Sequence, residues 1–166
     1  IMIILGLDPG FATIGFGVIE SDRGKATVVD YGTITTSKDL TFPERLMKIE
    51  KGMVALIEKF NPEQIAMEEL FFNTNITTGI NVAHARGVMV LVAARECPGG
   101  LFEYTPLQIK QALTGYGRAD KQQMMQMVKT YLRLDKIPRP DDAADALAVA
   151  LCHSQTNRLG SLFRMK

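Results

Sequence analysis

At 166 residues, with 46% hydrophobic and 22% charged content, the chain has the size and composition of a single globular domain spanning residues 1–166, with one sizeable core. The N-terminal apolar run IMIILGL is too short to cross a bilayer and has neither a basic flank nor a small-residue cleavage site, so a cytoplasmic location is expected. A net charge of +1 gives no overall attraction to nucleic acid, and Cys97 and Cys152, without CxxC spacing, suggest neither a zinc site nor a disulfide scaffold.

In chain order, IMIILGLD is nearly continuous in apolar residues, as in a strand buried on both faces. It ends on Asp8, and Pro9-Gly10 breaks the ladder at once. The segments ATIGFGVIES and KATVVDYGTITT read as second and third strands, and the DRGK turn between them makes an antiparallel meander. From Phe42 the apolar period changes to three and four residues, which predicts an amphipathic helix ending before Asn61-Pro62. EQIAMEELFF is a further strand. A helix of small residues follows over 76–95, then a short strand LFEYTP, then helices near 106–114, 121–133 and 141–156. The order βββαβαβααα predicts an α/β fold, a mixed sheet flanked by helices.

Charge is unevenly spread along this order. Residues 1–105 carry 9 Lys and Arg against 13 Asp and Glu, whereas residues 106–140 carry 7 against 2. That basic stretch either tracks phosphates or forms a solvated helical face.

Acids stand out where apolar residues surround them. Asp8 closes a strand, where ligand sites of such sheets gather, although an Asp before Pro-Gly also starts a turn. Glu68 lies inside an apolar strand, and its neighbour Glu69 must face the other way by the two-residue period. In PDDAADALAVALCH, Asp142 and Asp145 are three apart and share one helical face. For Asp141 and Asp142 a helix-capping role is the strong alternative. Asp145 sits among Ala, Leu and Val in a helix expected to be largely buried, with no basic residue between Arg139 and Arg158. A buried acid needs compensation, and a cation held by several acids supplies it. Oxygen ligands without Cys or clustered His select Mg²⁺, with Mn²⁺ as substitute. Two such ions, about 3.5 to 4 Å apart, are the usual equipment of phosphoryl transfer by water, and no nucleophile motif or phosphate loop competes with this reading.

Taken together, LGLDPGFATIGFGVI, IAMEELFF, NVAHARGV, FEYTPLQIKQALTGYGRADKQQM and PDDAADALAVALCH resemble the RuvC family of Holliday-junction resolvases over nearly the whole chain. The resemblance implies an RNase H-like fold with a five-stranded mixed sheet whose first three strands are antiparallel. It implies a homodimer that nicks two like-polarity strands of four-way junction DNA with Mg²⁺, in recombination and repair, alongside RuvA and RuvB. Carried over by position, the catalytic and metal-binding acids fall on Asp8, Glu68, Asp142 and Asp145. The functional lysines fall on Lys110 and Lys121, and DNA contacts on Phe71, Lys110, Arg118 and Lys121. From the residues alone, the lysines read as helix-surface groups beside an Asp120 N-cap, and Phe71-Phe72 as core.

Three other readings share parts of the pattern. YqgF-type nucleases have the same RNase H-like start and act on RNA; the two lysines and DDAAD favour RuvC. The actin and sugar-kinase ATPases also place Asp-x-Gly after a strand, but they need two such domains. A junction-binding module without catalysis would not need four intact acids.

Overall fold

The computed structural model describes residues 1–70, 76–157 and 162–166. Five strands, β1 (Met2–Asp8), β2 (Thr13–Asp22), β3 (Lys25–Thr35), β4 (Gln64–Glu68) and β5 (Leu101–Tyr104), lie in the order β3-β2-β1-β4-β5. The helices are α1 (Phe42–Phe60), α2 (Ile76–Glu96), α3 (Pro106–Thr114), α4 (Lys121–Tyr131) and α5 (Asp141–Thr156). The element order is the one expected from periodicity.

The meander forms because Arg23 and Gly24 both take left-handed backbone, the twist that suits a two-residue hairpin between Asp22 and Lys25. After β1 the sheet turns parallel, β4 pairing with β1 and β5 with β4, so each connection is a helical crossover. Thr41 and Glu44 start α1 with a reciprocal capping box, and Asn61 ends it in left-handed conformation. The fourth strand is shorter than its sequence suggests. It stops at Glu68 because β1, its partner, runs out at Asp8 before a proline that cannot donate to a ladder.

Alternate strand residues feed two cores. Leu5, Leu7, Ile65 and Met67 face α1 and α2, whereas Ile4, Ile19, Ala66 and Phe102 face α3, α4 and α5. On the first side, Ala85, Met89, Val92 and Ala93 of α2 are buried, and Arg86 pairs with Glu103 of β5 at 2.6 Å. By length and composition α2 would pass for a membrane span; here it is a helix laid on a sheet.

On the second side, α5 is buried along most of its length. Side chains on β1 and β2 would hold it off, but the strands present Gly6 and Gly17. A Cβ on Gly6 would come within 2.2 Å of the Ala146 carbonyl oxygen, and one on Gly17 within 2.8 Å of the Leu147 nitrogen. Bare glycine lets the helix backbone rest on the sheet. Near its C-terminal end α5 is tied by His153, which is fully buried and bonds Tyr104 at 2.6 Å and Gln64 at 2.7 Å. His84 stacks edge-on against Phe42. His153 is thus structural, whereas His84 lies at the surface. Cys97 and Cys152 are buried free thiols.

Candidate active site

Asp8 and Glu68 are the last residues of adjacent parallel strands. Leu7 pairs with Met67, so the next residues end side by side, on the α5 face that Gly6 and Ala66 share. Glu69, past the end of the strand, is exposed and lines a small cleft with Asp8 and Glu68.

Helix α5 brings the other two acids to the same place. Its N-terminal turn starts beside the end of β1, and Asp142 and Asp145 lie one turn apart on it. The approach depends on Gly15, which faces Asp8 across the β1–β2 ladder: a Cβ there would sit 1.9 Å from the Asp142 carbonyl oxygen. As a result Asp8, Asp142 and Asp145 each offer a carboxylate oxygen within 4.8 Å of the others.

Crowding shows in the proton affinities. Burial pushes Asp8 up to about 8, and repulsion from Glu68, Asp145 and Asp142 adds to it, against a smaller pull from Lys121. Glu68 is raised by burial and then by Asp145, offset in part by a hydrogen bond with Asp8 and by Lys110 and Lys121. Asp145 is raised by burial, with Lys121 opposing. Four carboxylates held this way repel one another unless protons or a cation neutralise them. Oxygen ligands of this kind, with no thiolate and no imidazole among them, suit a hard divalent ion.

Two lysines face the acids from the other helices. Lys121, the first residue of α4, places Nζ 3.2 Å from Asp145 Oδ2 and 3.5 Å from Asp141 Oδ2. Lys110 of α3 lines, with Glu68, Lys121 and Asp145, a cleft of about 280 Å³. A second cleft of about 210 Å³ adjoins it through Glu68 and Pro106 and reaches Asp8. Asp120 is indeed the N-cap of α4, in a capping box with Gln123, which is what aims Lys121 into the cleft. Gly115, in left-handed conformation, ends α3, and the Thr114 hydroxyl accepts from the Tyr116 amide in the turn that leads to α4.

Two sequence expectations change here. Asp145 is not deeply buried, its side chain being 31% exposed, and its nearest counter-charge is Lys121 from another helix. Asp142 is not a cap: Pro140 holds the N-cap position without a side-chain bond, and Asp141 pairs with Arg139 and Lys121. Arg118 is exposed in the turn before α4 and does not line the cleft. Phe71 lies outside the described residues. Sequence reading passed over Gly15, although Gly6, Gly15 and Gly17, alternating along two neighbouring strands, signal one bare face.

A family model for crossover junction endodeoxyribonuclease RuvC matches residues 4–153. The chain belongs to the RuvC family. The RuvC protein of Alkaliphilus oremlandii is 53% identical over 165 residues, covering 99% of this chain and all of that one. The structure of Thermus thermophilus RuvC superposes with a TM-score of 0.90 at 33% identity, covering 99% of this chain and 100% of that one. The same protein in complex with a Holliday junction substrate gives 0.92 at the same identity and coverage. The yeast mitochondrial Holliday junction resolvase, 16% identical with a TM-score of 0.67 over 92% of this chain and 78% of that one, shares the fold. The RuvC sheet is thus RNase H-like, as the resemblance implied. Family and acid cluster together mark an endodeoxyribonuclease that uses a divalent metal.

Proposed function

We propose that this RuvC-family chain, acting as one nuclease domain, resolves Holliday junctions by nicking two strands of like polarity, and that Asp8, Glu68, Asp142 and Asp145 are its catalytic acids. The observation that carries the proposal is the meeting of three carboxylates within 4.8 Å beside Glu68, at the rim of a cleft that two lysines enter.

The four acids would hold Mg²⁺, or Mn²⁺ in its place, as two ions. Such ions, when bound, supply an activated water and neutralise the leaving 3′-oxygen. The protein's own contribution is positional. The strand ends fix Asp8 and Glu68, the first turns of α5 fix Asp142 and Asp145, and neither pair has rotational freedom of the backbone to lose. Lys110 and Lys121 face the place where a phosphate would sit, so each ammonium neutralises charge that grows in the transition state. Arg118 and Phe71 are assigned DNA contacts by family position alone, Arg118 with the backbone and Phe71 stacking on a base.

Paired cuts call for paired sites. Helix α2 offers a face for a second copy: Ile76, Ile80 and Leu91 are exposed along one stripe, and Gly87 on the same stripe opens onto free space. Homodimerisation through this stripe would set two active sites on one junction, and Leu91→Asp should shift sedimentation from dimer to monomer. RuvA and RuvB are the partners that family membership suggests, in the cytoplasm, during recombination and repair.

The test uses a labelled four-way junction, a matched duplex and an RNA strand of the same sequence, each with Mg²⁺ or EDTA. Metal-dependent paired nicks confined to the junction are expected. Nicking of RNA with the junction spared would move the chain to the YqgF-type reading. Junction binding without metal-dependent nicking would leave only a binding module.

A further inference from the structure

Gly15 does more than admit a helix. The atoms a Cβ would meet there are the Asp142 carbonyl oxygen at 1.9 Å, the Asp142 carbonyl carbon at 2.4 Å and the Ala143 nitrogen at 3.1 Å. All three are backbone atoms of the first turn of α5, so no rotamer change relieves the clash and the helix itself must move. To reach ordinary contact at 3.4 Å the turn would retreat by roughly 1.5 Å.

The retreat has a defined form. Farther along, α5 stays seated on Gly6 and Gly17 through Ala146 and Leu147, and its C-terminal end stays bonded to β4 and β5 through His153. The N-terminal turn is the part that must yield. Asp142 and Asp145 ride on that end, whereas Asp8 is held by its pairing with Gly15 of β2 and by Leu7 before it, which pairs with β4. Lifting the turn therefore widens the gap between Asp8 and the two helix acids.

We propose that Gly15 is a positioning residue that sets the width of the acid cluster, and through that width makes the site prefer a small divalent cation. The inference rests on the metal-site reading above. Mg²⁺ needs ligand oxygens at about 2.1 Å in near-octahedral geometry, whereas Ca²⁺ takes about 2.3 to 2.6 Å in loose geometry. A gap widened by a fraction of the 1.5 Å retreat penalises the first ion far more than the second.

The experiment is calorimetric titration of metal-free protein with MgCl₂ and with CaCl₂, with circular dichroism and melting curves confirming the fold of each variant. Gly15→Ala should lose Mg²⁺ affinity by about tenfold or more while Ca²⁺ affinity moves by less than about threefold. Adding Asp142→Glu, one methylene longer, should span the widened gap and restore Mg²⁺ binding in the double variant. A purely structural glycine would give no such rescue. If Gly15→Ala does not fold, Asp142→Glu alone carries the test: with Gly15 holding the gap narrow, the longer acid crowds the ion and Mg²⁺ affinity drops by about tenfold. An unchanged Mg²⁺ to Ca²⁺ ratio in Gly15→Ala, or unchanged Mg²⁺ affinity in Asp142→Glu, overturns the proposal and leaves the metal site standing. Wild-type protein that binds neither ion overturns the metal site, and the proposal with it.

Discussion

Lys121 Nζ lies 3.2 Å from Asp145 Oδ2, across the groove between α4 and α5. Half-exposed, the pair adds little to stability, since exposed ion pairs contribute about 0 to 1 kcal/mol. Its consequence is chemical. The ammonium lowers the proton affinity of Asp145 and Asp8 and lines the cleft beside Glu68. Lys121→Ala should cut single-turnover cleavage by about 100-fold, the loss typical of removing one transition-state donor, with junction affinity within about threefold of wild type. Lys110→Ala should act in the same direction, and gel-shift titration separates binding from rate.

Asp8, raised to about 8, makes metal loading compete with protonation. Metal affinity should therefore fall as pH is lowered from 9 to about 6.5, measured by calorimetric titration. Stability of the metal-free protein moves the opposite way. Between the ordinary carboxylate value and about 8, native Asp8 keeps a proton that the unfolded chain has lost, so stability falls as pH rises through that window. Asp8→Asn should flatten the slope in EDTA, read from urea unfolding at pH 6.5 to 8.

His153 predicts the reverse slope at lower pH. Burial pulls it from 6.5 to about 4, between Tyr104 and Gln64. Below pH 6.5 the unfolded chain takes a proton that the native site refuses. The His153 contribution should fall as pH drops from about 6.5 to about 4, by a total on the order of 3 kcal/mol and against the Asp8 contribution over the same range, so it is read as the difference between wild type and His153→Gln. His153→Gln should remove this step, at a cost near neutral pH of about 1 to 3 kcal/mol for the partners left unpaired. Urea unfolding across pH 4 to 7, repeated in both proteins, checks it.

Much of this was legible in the sequence because period reports geometry. Apolar alternation and its change after Phe42 gave the ten elements in order, and an acid closing one apolar strand and an acid inside another gave Asp8 and Glu68. What was not legible arises between elements. The partner of Asp145 comes from α4, 24 residues earlier, and no local pattern places Lys121 beside it. Asp142 resembles a cap by position alone; only the seating of α5 on Gly15 turns it toward Asp8. The glycines were read for turns, whereas three of them act by what they leave empty.

The most direct test of the four-acid site is cleavage of a labelled four-way junction by Asp8→Asn, Glu68→Gln, Asp142→Asn and Asp145→Asn, each matched to wild type for junction binding. Each amide keeps the shape and removes the charge a metal needs. All four should bind the junction and lose cleavage by at least about 100-fold in Mg²⁺. Cleavage at near wild-type rate by any one of them would contradict its place in the site.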